Sequence, residues 1–126
     1  MRAHFREWTL AWVRKELFTA RSDPKLVERV ASDMAAGPPE VAVSAMKDAV
    51  RYDLGAALAA VKAPIRLINA DHWPTNLEAA RRCQPAVGLA VMPGVGHFLM
   101  AEDPEEFNRL LGRAVGDWTA PMKGQV

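Results

Sequence analysis

The sequence predicts an α/β fold in which four helices precede a parallel strand-helix-strand-helix unit. Three observations carry this. Apolar residues recur at helical spacing through roughly the first sixty positions, two short β-prone runs occur only after Pro64, and each run is followed by a capped helix start. Composition agrees: 22 alanines against two isoleucines favour helix over sheet for most of the 126 residues.

The first helix, over residues 2–20, places Phe5, Trp8 and Trp12 on one stripe and Leu10, Val13 and Leu17 on its neighbour. Asp23 then offers an N-cap with Pro24 at the first helical position, and Leu26, Val27, Val30 and Met34 continue the period until Gly37 stops it. Pro38 and Pro39 open a third helix whose inward stripe is Ala42, Met46, Ala49 and Val50, and Asp53 caps a short fourth carrying Leu54, Leu58 and Val61. After Pro64 the run Ile65-Arg-Leu-Ile68 reads as a strand. Thr75-Asn-Leu-Glu78 has the spacing of a capping box and starts a helix to about Cys83. Residues 87–92 form the second strand, and Asp103-Pro104-Glu105-Glu106 opens a last helix with the stripe Phe107, Leu110, Leu111 and Ala114. Residues 1–60 thus form a helical segment, 61–116 the strand-helix unit, and 117–126 a loose tail. A parallel pair of only two strands is marginal, so further strands or a partner are expected beside it.

Chemistry concentrates between the second strand and the last helix, in Met92-Pro-Gly-Val-Gly-His97-Phe-Leu-Met-Ala-Glu102-Asp-Pro-Glu-Glu-Phe107. This stretch resembles the histidine loop of the α/β-hydrolase superfamily. The segment Val61-Lys-Ala-Pro64-Ile-Arg-Leu-Ile68 looks like the family's entry into its penultimate strand, and the four helices look like its helical cap, so that the likeness spans roughly residues 26–115. The resemblance implies that the chain is the C-terminal portion of an α/β-hydrolase fold and that His97 is the base taking a nucleophile's proton. The competing local reading is a histidine that merely packs in its loop.

The partner acid should come from the loop after the first strand, where Asp71 is the candidate. Three alternatives stay open: Asp71 caps the turn, His72 fills the expected place without the chemistry, or the acid comes from an earlier strand. The family's nucleophile stands on a Gly-x-Ser-x-Gly elbow, yet the serines here, Ser22, Ser32 and Ser44, do not lie between glycines. The resemblance therefore implies that elbow and oxyanion donors precede Met1, that the chain alone does not turn over substrate, and that a small molecule with an ester, amide or related bond is the substrate of the complete enzyme. An aspartate nucleophile, as in some members of that family that cleave other bonds, is the alternative. No cofactor is implied, since the chemistry needs none and no glycine-rich phosphate loop occurs.

Several readings compete with these. Phe5, Trp8, Trp12 and Phe18 either roof an apolar pocket or simply pack, Cys83 reads as a small hydrophobe at a helix end, and Arg14-Lys15 and Arg81-Arg82 read as solvated helix positions. One cysteine and three scattered histidines give neither a disulfide nor zinc spacing. Sixteen basic against 15 acidic side chains, a formal charge of +1, disfavour nucleic acid, and the absence of a membrane-length apolar run or a signal-peptide core points to a cytoplasmic protein. The competing functional class is a free-standing, non-catalytic protein that forms a homodimer or joins a complementing chain.

Overall fold

A computed structural model of the chain describes residues 2–119, with side chains over 4–117. Its elements are α1 (Arg2–Glu16), α2 (Pro24–Ala36), α3 (Pro39–Arg51), α4 (Leu54–Ala60), β1 (Arg66–Ala70), α5 (Leu77–Cys83), β2 (Gly88–Met92), α6 (Leu99–Glu102) and α7 (Pro104–Thr119). The fold is mixed α/β, with strands confined to the second half as the sequence predicts.

The packed centre of the helical half lies between α1 and α2. Val13, Leu17, Phe18 and Ala31 are buried there, with Leu26, Val27 and Val30 against them. Asp23 caps α2 by accepting from the Lys25 amide at 2.9 Å, and Arg14 on α1 forks onto Glu28 on α2 at 2.8 and 2.7 Å. Arg14 is thus an inter-helix tie at an exposed position. Helix α1 ends at Glu16, earlier than its apolar pattern suggests. The reason is tertiary: Leu17 and Phe18 leave the helix to enter the core, and the Leu17 carbonyl accepts from the His97 amide at 2.8 Å.

Helix α3 departs from expectation more sharply. It forms where the prolines predict, but its stripe does not face inward: none of its residues is buried, and Met46 and Val50 are 57% and 84% exposed. Nothing among the described residues covers that face.

Strands β1 and β2 pair in parallel, in register from Arg66↔Gly88 to Ala70↔Met92, and α5 lies between them in sequence. Helix α7 packs across both strands and α4 lies on α5. Helix α5 starts one residue later than the capping box predicts. Asn76 is its cap, accepting from the Ala79 amide at 2.9 Å, because Thr75 is occupied by the Asn69 side-chain amide at 2.6 Å and Glu78 pairs with Arg82 at 2.9 Å. Within α7, Ala114 is buried while Leu111 is 42% exposed. The helix continues through residues 117–119, shortening the expected tail, whose remaining residues 120–126 lie outside the described set. No described helix is long and apolar enough to cross a membrane.

Candidate active site

Because Ala70 pairs with Met92 at the last rung of the ladder, the loops that leave β1 and β2 start side by side at the C-terminal edge of the sheet. That edge is where parallel α/β sheets gather their chemistry. The two loops are stitched together directly: Asp71 Oδ1 accepts from the Gly94 amide at 2.9 Å. Gly94 has φ +79°, a left-handed conformation that glycine adopts without a Cβ penalty. Its carbonyl in turn accepts from the Thr19 hydroxyl at 3.3 Å, tying the histidine loop to the α1–α2 connection.

Two further bonds complete that attachment. The Gly96 amide donates to Glu102 Oε1 at 2.9 Å, and the other carboxylate oxygen of Glu102 accepts from Ser22 at 2.5 Å. Gly96 is buried so tightly that a Cβ there would stand 2.5 Å from the Leu17 carbonyl oxygen and 2.8 Å from Phe18 Cα. The backbone at His97 is therefore fixed from both sides, by the Leu17 carbonyl and by Glu102.

The His97 imidazole is exposed, and neither ring nitrogen has a hydrogen-bond or ion-pair partner among the described residues. What touches it is aromatic: Trp73 with centroids 5.6 Å apart and Phe98 edge-on at 5.0 Å. Trp73 also meets His72 at 5.5 Å, and Phe98 meets Phe18 at 5.6 Å, so the rings line up in one row across the site. His72 is tied elsewhere, donating from Nε2 to the Glu16 carbonyl at 2.8 Å.

Asp71 and His97 thus emerge on adjoining loops, but no hydrogen bond or ion pair joins them among the described residues. Asp71 accepts from Gly94 with one oxygen, and Oδ2 meets no donor among the described residues. The sequence reading missed Trp73 and Phe98 as the groups flanking the imidazole. The available signal was their adjacency to the two candidates, Trp73 two residues beyond Asp71 and Phe98 next to His97. The hydroxyl of Ser22 is engaged by Glu102, and Ser32 and Ser44 are exposed on α2 and α3. Cys83 packs toward α4, its Sγ 3.5 Å from where a Cβ on Gly55 would lie. No group of three or more His, Cys, Asp or Glu side chains among the described residues is arranged to hold a metal ion.

Comparison with protein-family models, curated proteins and solved structures finds no match for the chain.

Proposed function

We propose that this chain supplies the general base of an α/β-hydrolase-type active site, His97, while the nucleophile comes from a segment outside these 126 residues. The observation that carries the reading is the free imidazole: a histidine with rigid backbone anchors, both nitrogens open, at the C-terminal edge of two parallel strands. A base must be held firmly while its nitrogen stays accessible to the proton it removes. In the proposed reaction His97 takes the proton of an incoming hydroxyl nucleophile as that oxygen attacks an ester, amide or related carbonyl, then returns it to the leaving group. Asp71 anchors the histidine loop through Gly94, and its Oδ2 is the group left to orient the imidazole.

The test starts at the coding DNA. Read in frame upstream of the Met1 codon, it should encode further strands and a Gly-x-Ser-x-Gly elbow. The longer product should hydrolyse p-nitrophenyl acetate, and His97→Ala should lower its turnover about 10²- to 10⁴-fold. The 126-residue chain alone should show no turnover above buffer. A frame closed by a stop codon, or turnover indifferent to His97→Ala, sinks the proposal.

A second reading is favoured by one specific observation, the bare apolar face of α3 beside a sheet of two strands. It holds the chain to be a free-standing protein that self-associates, with no catalysis. Sedimentation equilibrium separates the two, since the first reading expects the mass of a single chain and the second a dimer.

A further inference from the structure

Away from the histidine loop, α1, the end of α2 and α3 enclose an open groove of about 980 Å³. That is the upper end of the roughly 300 to 1,000 Å³ typical of small-molecule sites. One wall is aromatic: the Trp8 and Trp12 indoles stack at 5.7 Å and nearly parallel, 6° apart, and Trp8 is 60% exposed. The facing wall is α3, apolar from Ala42 and Val43 through Met46 to Val50, with Lys47 and Arg51 set among these residues in its C-terminal half. Lys47 and Arg51 are one turn apart and so share a face. Neither has an ion-pair partner among the described residues, and no acidic side chain lines the groove.

We infer that this groove binds a single-chain amphiphile with an anionic head, a fatty-acid-type carboxylate, its alkyl chain along the indoles and its head at Lys47 and Arg51. Charge complementarity selects this occupant. An apolar trough that carries two unneutralised cations leaves a net positive rim, and a guanidinium accepts a carboxylate in bidentate fashion. This inference is independent of the hydrolase proposal, and its test uses the chain as it is.

The experiment is calorimetric titration below the micelle concentration, with dodecanoate, dodecyl maltoside and dodecyltrimethylammonium as probes, and Trp fluorescence as a second readout. Dodecanoate should bind one to one and at least tenfold tighter than the other two. Lys47→Glu combined with Arg51→Glu, both at exposed positions, should reverse the order so that the trimethylammonium probe binds best. Met46→Glu, also exposed, should abolish dodecanoate binding while leaving the circular dichroism spectrum unchanged. Equal binding of all three probes, or no binding of any, overturns the inference. So does co-sedimentation with anionic phospholipid vesicles without binding of monomeric dodecanoate, which would make the face a membrane-surface contact, and so does a dimer that buries the indoles.

Discussion

At Gly96 the histidine loop runs against the backbone of the α1–α2 connection, and beside Glu102 Oε1 two of the three closest obstacles to a methyl group are main-chain atoms, the Leu17 carbonyl oxygen and Phe18 Cα. Neither of these two can rotate away as a side chain would. Gly96→Ala should therefore cost about 1 to 3 kcal/mol in a urea melt, the usual range for forced overpacking. Gly112 makes the opposite case within α7, where a Cβ meets nothing within 4 Å. There the same substitution should stabilise by about 0.5 to 1 kcal/mol, because alanine removes backbone freedom from the unfolded chain and suits a helix. If both variants shift the midpoint the same way, the close approach at Gly96 is wrong. Glu28 carries a prediction in pH. The hydrogen bonds from Arg14 hold its carboxyl below the ordinary value of 4.5. A carboxyl lowered by folding adds stability that is present above its unfolded pKa and is lost as pH falls through the folded one. Arg14, itself raised by Glu28, stays charged throughout. In Arg14→Ala the Glu28 midpoint, followed by carboxyl NMR shifts, should climb back toward its ordinary value; an unchanged midpoint would show that the pair does not form in solution.

Among the elements, those with local causes were legible in advance and those decided by neighbours were not. Helix α2 is the clear success, since Asp23, Pro24 and Gly37 lie where cap, first turn and stop require them. The parallel pairing of β1 and β2 follows from the intervening helix in the same way. Thr75 failed as a cap for a reason no local pattern contains: the Asn69 amide, six residues back on β1, reaches its hydroxyl first. The stripe on α3 failed similarly, because an amphipathic period says that a face is apolar but not what covers it. That the loops carrying Asp71 and His97 adjoin was legible as a consequence of the strand order. The aromatic row between His72 and Phe18 was not, since it joins three separate stretches of chain. The contrast between α3 and the sheet can be measured. Val50→Ser, at a site 84% exposed, should change stability by no more than about 0.5 kcal/mol. Met92→Ala, at 1% exposed on the last rung of β2, should cost about 2 to 5 kcal/mol. A loss of more than about 1.5 kcal/mol at Val50 would mean that α3 is covered in solution.

For the molecule as a whole, the balance of buried and exposed surface decides how it should unfold. Its accessible surface is 9312 Å², whereas a compact monomer of 13.8 kDa exposes about 6,600 Å². Even if the eight residues outside the described set contributed at the rate of an unfolded chain, about 1,300 Å² in total, some ~1,400 Å² of excess would remain. That excess, carried by one chain, is above the ~800 Å² per partner of a standard protein interface and falls in the range of large obligate ones, and it agrees with the bare α3 face and the open edges of a two-stranded sheet. Folding this chain removes about four-fifths of the area that a compact chain of its mass would bury. Since the urea m-value follows the area exposed on unfolding, it should fall about a fifth below that of a compact domain of 126 residues. The dependence on protein concentration then distinguishes what completes the surface. A homodimer stabilises itself by mass action, so its Tm climbs as protein is added. If the missing surface belongs to a nucleophile-bearing segment, a second copy cannot replace it, and the Tm should stay constant from about 5 to 200 µM while the m-value remains low. A Tm that climbs over that range, with an m-value restored to the compact expectation, would transfer the excess surface to a self-association interface and leave His97 without a nucleophile to serve.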